Sequence, residues 1–149
     1  MEPMTKDRLL KYQALRMEND LKLENLARLK SAEQFAPKME NDGSKHQQGA
    51  SDRMANAVLR RMEYQDRILD RVNENLAEME AIENAVNSLA DPLERIVLNL
   101  RYISSFGYKH MPWAEIAKEI YGDDDEKDLQ AVFRLHGRAL KSIGMRKDE

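Results

Sequence analysis

The sequence predicts an all-α fold: a long N-terminal helical hairpin or coiled coil, followed by a module of three shorter helices. Three observations lead there. The 149 residues are 42% hydrophobic and 34% charged, with only 6 glycines and 4 prolines, and Ala, Leu, Met, Glu, Lys, Arg and Asn dominate, which is a helix-rich composition. Apolar residues recur at steps of three and four through two long stretches. A break at Asp91-Pro92 then separates those stretches from the C-terminal segment. Aromatic content is only 6%, so the core is aliphatic and thin per residue, which fits a helical extension beside one small globule.

Residues 5–35 read as the first helix, since no glycine or proline interrupts them. Thr5 is placed to cap it, with Asp7 in the first turn where negative charge is favoured. Leu10, Ala14, Met17 and Leu21 form an apolar stripe, carried on with a register shift by Leu23, Leu26 and Leu29. At ~1.5 Å per residue this helix is on the order of 45 Å long and needs a partner helix. Residues 36–50 (APKMENDGSKHQQGA) are rich in turn formers and read as a connector, with His46 a solvated loop residue. Residues 51–90 read as the second helix, capped by Ser51. Its stripe is Met54, Val58, Met62, Gln65, Leu69, Val72, Leu76, Met79, Ile82, Val86 and Leu89, the spacing of a coiled-coil seam. Gln65 is the polar member, either tolerated there or a specifier of register. The two helices pair with each other or with a second chain. Residues 1–90 are thus a scaffold.

The C-terminal segment, residues 91–149, opens with strong start signals. Asp91 stands as cap, Pro92 at the first helical position and Glu94 as a residue reaching back to the cap. This helix shows Leu93, Ile96, Val97, Leu100 and Ile103 on one face and stops at Gly107. A short helix opened by Pro112 follows, burying Trp113, Ile116, Ala117 and Ile120, and stopped by Gly122. The last helix runs from about Asp125 or Asp128 to Ser142. Its buried face takes Leu129, Val132, Leu135 or His136, Ala139 or Leu140, and Ile143; His136 reads as half-buried packing. Trp113, Ile116, Ala117, Val132, Leu135 and Leu140 form the core of this two-helix unit, Trp113 sealing it onto the helix from Pro92. Its opposite face shows Gln130, Arg134, Gly137, Arg138 and Lys141.

Several classes of function are excluded or disfavoured. Without cysteine there is no disulfide and no thiolate metal site, and His46, His110 and His136 lie too far apart for ligand spacing. No nucleophile, phosphate loop or acid pair marks an enzyme, and no cofactor is expected. No apolar run reaches the ~20 residues that span a bilayer, and the start MEPMTKDRLLK lacks a signal core, so a cytoplasmic location is expected. The net charge of −3 hides a sharp asymmetry. Between Leu129 and Lys147 stand Arg134, Arg138, Lys141, Arg146 and Lys147 with no acid; the run Asp123–Asp128 holds five acids and one lysine. The acidic run reads as a solvated turn at a helix N-terminus, not a calcium loop. A basic helix on a short helical partner is the arrangement of a recognition helix. Gln130 and Arg134 suit adenine and guanine edges, while Arg138, Lys141, Arg146 and Lys147 suit phosphates. Gly137, costly in mid-helix, suits close approach.

The motifs DPLERIVLNLRYI (residues 91–103), W-x-E-I-A (residues 113–117) and VFRLHGRALK (residues 132–141) resemble sigma-70 region 4-like regulators. They look like the small phage helix-turn-helix proteins of the ArpU and RinA type, encoded by prophages of low-GC Gram-positive bacteria. The resemblance implies a cytoplasmic protein of the bacterial host cell that binds double-stranded promoter DNA, with RNA polymerase as a further partner, controls late genes and dimerises through its N-terminal helices. Carried over by motif position, Gln130, Ala131 and Arg134 meet bases, and Arg138 and Lys141 meet the backbone. The chain departs from that pattern at Pro112, where Ser or Thr is usual, and in GDDDEKD (residues 122–128), which lengthens the segment between the two helices. A phage assembly or adaptor protein, such as a small terminase subunit, is the alternative that shares these features.

Overall fold

The computed structural model describes residues 3–34 and 44–145. Five α-helices account for most of them: α1 (Lys6–Gln34), α2 (Ser44–Asn87), α3 (Pro92–Leu98), α4 (Trp113–Tyr121) and α5 (Glu126–Gly144). A π-helical turn, Asn99–Ile103, continues α3, and a 3-10 turn, Phe106–Tyr108, comes after it. The fold is all-α among the described residues, with two long helices ahead of three short ones. Contacts gather the chain into two compact units, Met1–Met17 with Leu76–Glu149, and Glu18–Asn75. Residues on both sides of Asp91 therefore belong to the first unit.

The second unit is an antiparallel helix pair. Arg61 meets Glu33 at 3.0 Å, the Tyr64 hydroxyl donates to the Lys22 carbonyl at 3.3 Å, and Asn19 Nδ2 donates to the Val72 carbonyl at 3.2 Å. Rising numbers on α1 meet falling numbers on α2. Its most buried residues are Ile68, Val72, Asn19 and Asn75. One bond joins the two asparagines: Asn75 Nδ2 donates to Asn19 Oδ1 at 2.9 Å, and also to Glu18 Oε1 at 2.7 Å. A buried amide costs stability unless paired, so this layer fixes where α1 sits along α2. Gln65, the polar seam residue expected from the sequence, is only half-buried and accepts from Arg61.

Several expected faces and boundaries are corrected. Residues 44–50, read as connector, belong to α2, so Ser51 lies within the helix and not at its start; the rest of the connector lies outside the described residues. Met54, Met62, Leu69 and Leu76 stand roughly half exposed; Val72, Met79, Ile82, Val86 and Leu89 of the expected stripe do turn inward, joined by Ile68 and Asn75. On α1, Leu10, Ala14, Met17, Leu21 and Leu23 face outward, while Leu9, Tyr12, Gln13 and Asn19 are buried. The apolar residues mislead because α1 buries hydrogen-bonding side chains. The cap at Thr5 forms as expected, its Oγ1 accepting from Arg8 N at 3.3 Å.

The first unit has one apolar core. Met4, Leu9 and Tyr12 from the N-terminal end meet Ile82, Val86 and Leu89 from the end of α2. Val97, Leu98 and Tyr102 from α3 and the π turn, Ile116 and Ala117 from α4, and Val132, Leu135, Ala139 and Ile143 from α5 complete it. Asp91 caps α3, its Oδ1 accepting from Leu93 N at 2.9 Å. Glu94 does not reach back to the cap; its Oε1 accepts from Ser142 Oγ at 2.8 Å and ties α3 to α5. The α-helix stops at Leu98, before the expected Gly107, and widens into the π turn. Leu93 and Ile96 are more than two-fifths exposed, and Val97, Leu98 and Tyr102 take the buried face. Gln13 explains how the wider turn is held: its Nε2 donates to the carbonyls of Tyr102 and Ile103 at 2.8 and 2.9 Å. These helix-end acceptors have no partner within their own helix.

Candidate nucleic-acid interface

α4 and α5 are joined by four residues, 122–125. Gly122 ends α4 in the left-handed region at φ +84°, its N–H donating to Lys118 O at 2.9 Å. An L side chain is strained there, and glycine is not. Asp125 caps α5, its Oδ1 accepting from Asp128 N at 2.8 Å. The acidic run is therefore no long insertion in the turn: Glu126 and Asp128 already lie in the first turn of α5, where their charge complements the helix dipole. Asp124 turns back to Lys118 at 3.6 Å. Within the acidic run, the carboxylates of Asp123, Asp125 and Asp128 lie within 4.8 Å of one another. Partial burial, and then Asp125 and Asp123, raise the Asp128 carboxyl above its ordinary value.

Packing positions α5. It lies on both α3 and α4. Ile116, Ala117, Val132 and Leu135 are fully buried, as expected. Leu140 is only half-buried, because Ala139 takes the inward position. Trp113 is likewise half-buried, packed against the edge of the core. It stands edge-on to Phe133 and His136, at 5.5 and 4.7 Å between ring centroids, with the Arg101 guanidinium 4.1 Å over its ring. Such a stack is favourable by about 0.5–1 kcal/mol at exposed sites and more when desolvated. Arg101 also donates to Met111 O at 2.7 Å, fixing the entry to α4.

His136 is 8% exposed, more buried than the half-buried position expected. Its Nε2 lies 2.7 Å from the Tyr102 hydroxyl. Burial first, and then the cations Lys6 and Arg101, hold its pKa down at about 4. The ring is neutral near pH 7, and its hydrogen bond with the Tyr102 hydroxyl joins α5 to the π turn.

The outward face of α5 holds the candidate binding residues. Gln130, Arg134, Gly137, Arg138 and Lys141 are all exposed, and Ala131 is half-buried. The side chains of Gln130, Arg134, Arg138 and Lys141 form no hydrogen bond or ion pair with another described residue. Ala131, Arg134, Gly137 and Arg138 line one open concavity. A Cβ placed on Gly137 would meet nothing within 4 Å, so no part of the described chain requires a glycine there. Arg146 and Lys147 lie outside the described residues. Sequence reading missed Phe133, which is 42% exposed on α5. Its spacing from Trp113 carries no periodic signal, because the two rings meet across the turn.

Comparisons with protein-family models, with curated proteins and with solved structures find no match for this chain. No helix of the described residues is long and apolar enough to cross a membrane.

Proposed function

We propose that this protein is a DNA-binding regulator of transcription that reads double-stranded DNA with α5. One observation carries the reading: a row of long polar and cationic side chains, unpaired within the described chain, on the outward face of a helix anchored by α3 and α4. Gln130 and Arg134, on the N-terminal half of α5, meet base edges. Arg138 and Lys141 meet phosphates, and Arg146 and Lys147 extend that contact. With the likeness to phage regulators, the reading extends to promoter DNA of late genes, in a dimer and beside RNA polymerase in the bacterial cytoplasm. The test is fluorescence anisotropy on upstream DNA from the source genome over a range of salt. Binding should weaken steeply with salt, and Arg138→Ala should lower the log–log slope by about one. Arg134→Ala should relax the preference among sequences. No binding to any duplex at low salt refutes the proposal.

A second reading, a phage assembly or adaptor protein, draws on the other unit. There Leu59, Met62 and Leu69 on α2 stand about half exposed, at steps of three and seven that share one helix face. Such a row suits a neighbouring helix. Light scattering separates the two readings: a large discrete oligomer favours assembly, and a monomer or dimer favours regulation.

A further inference from the structure

The concavity over Gly137 makes the proposed contact more specific. It is lined by Arg134 and Arg138 together with the small residues Gly137 and Ala131. The small residues offer no hydrogen-bonding side chain, and backbone groups in the middle of a helix are already bonded to one another. Among the described residues, the polar partners in the concavity are therefore the two guanidiniums, neither of them paired within the described chain. A guanidinium fork matches an anionic tetrahedral group bearing two free oxygens. Glycine is disfavoured in mid-helix, yet the described residues leave the space above Gly137 open. An occupant from outside the chain accounts for both facts. Gly137 also lies past the middle of α5, beyond the N-terminal half that a recognition helix turns toward base edges.

We infer that the concavity at Gly137 is a seat for one phosphodiester of duplex DNA. Arg138 pairs with its charge, and the missing side chain at Gly137 lets the strand come close. The aliphatic stem of Arg134 lines the concavity while its head reaches on toward a base. This inference rests on the DNA-binding reading above.

The experiment uses the full chain with Gly137→Ala, Arg138→Ala and Arg138→Lys, and anisotropy against labelled duplexes of mixed, all-A·T and all-G·C sequence. A methyl at Gly137 meets nothing among the described residues, so Gly137→Ala should melt at or above the wild-type temperature. It should nonetheless bind every duplex about tenfold more weakly, with a salt slope lower by about one. Arg138→Ala should do the same, and Arg138→Lys should recover most of the slope. Wild-type affinity in Gly137→Ala, with loss in Arg138→Ala, overturns the seat but leaves the DNA-binding reading intact. A loss confined to one duplex composition with an unchanged slope overturns it in favour of a base contact. If the wild-type protein binds no duplex, the reading falls and the seat with it.

Discussion

Acidification should unlock α5 before it touches the rest of the molecule. His136 is buried and neutral, and its pKa falls from 6.5 to about 4 on folding. The unfolded chain therefore binds the proton more readily than the folded one. The contribution of the neutral ring is fully present above pH 6.5 and is lost as pH falls toward 4. At 1.36 kcal/mol per pKa unit, the whole shift is about 3 kcal/mol, of which about 2.5 kcal/mol is lost by pH 4.5. The interval from pH 6.5 to 4.5 belongs largely to this one group. Glu33 and Glu78 have pKa values lowered from 4.5 by their hydrogen bonds to Arg61 and Arg8, so their contributions fade only below it. Asp128, raised from 3.8, acts in the opposite sense near the foot of that interval. Urea unfolding followed by circular dichroism at constant ionic strength is the assay. The midpoint should drop by roughly 1–2 M between the two pH values. His136→Gln keeps a hydrogen-bonding group for the Tyr102 hydroxyl without a titrating group, and its midpoint should stay nearly level. A wild-type midpoint that does not move, or a variant that falls equally far, refutes the assignment.

Asn75→Leu should cost about 1–3 kcal/mol, because Asn19 Oδ1 loses its donor in a buried site; in urea unfolding, Asn19→Leu with Asn75→Leu should recover much of that loss. Simple additivity of the two would show that the amides do not act as a pair. Gly122→Ala puts a side chain at φ +84° and should destabilise by about 1–2 kcal/mol in a thermal melt; an unchanged melting temperature would show that the turn relaxes freely.

The C-terminal half was the more legible half, and the reasons are local. Asp91, Pro92 and Gly122 act on their own turns, so they mark the ends of α3 and α4 without knowledge of the rest of the fold. The inward stripe of α5 was readable because that helix packs on one side only. On α1 apolar spacing pointed to Leu10, Met17 and Leu21, yet the helix is seated by Leu9, Tyr12, Gln13 and Asn19. Gln13 and Asn19 are buried because acceptors on Tyr102, Ile103 and Val72 await them, and those lie at least 53 residues away in the chain. No local pattern encodes such a partner. The candidate face on α5 was legible as a cluster of residue types; the open space over Gly137 was not, since room above a backbone is a property of the surroundings.

Gln13 also bears on the order in which the chain acquires structure. It grips carbonyls 89 and 90 residues downstream, and Met4, Leu9 and Tyr12 enter the same core as α5. A ribosome releases the first of these residues long before it makes their partners. The N-terminal turns therefore lack part of their core until the last helix emerges. Residues 91–149 expressed alone would lack part of their own core. Supplying residues 1–17 as a separate peptide would have to meet, as a second-order association, a closure that the intact chain achieves within itself.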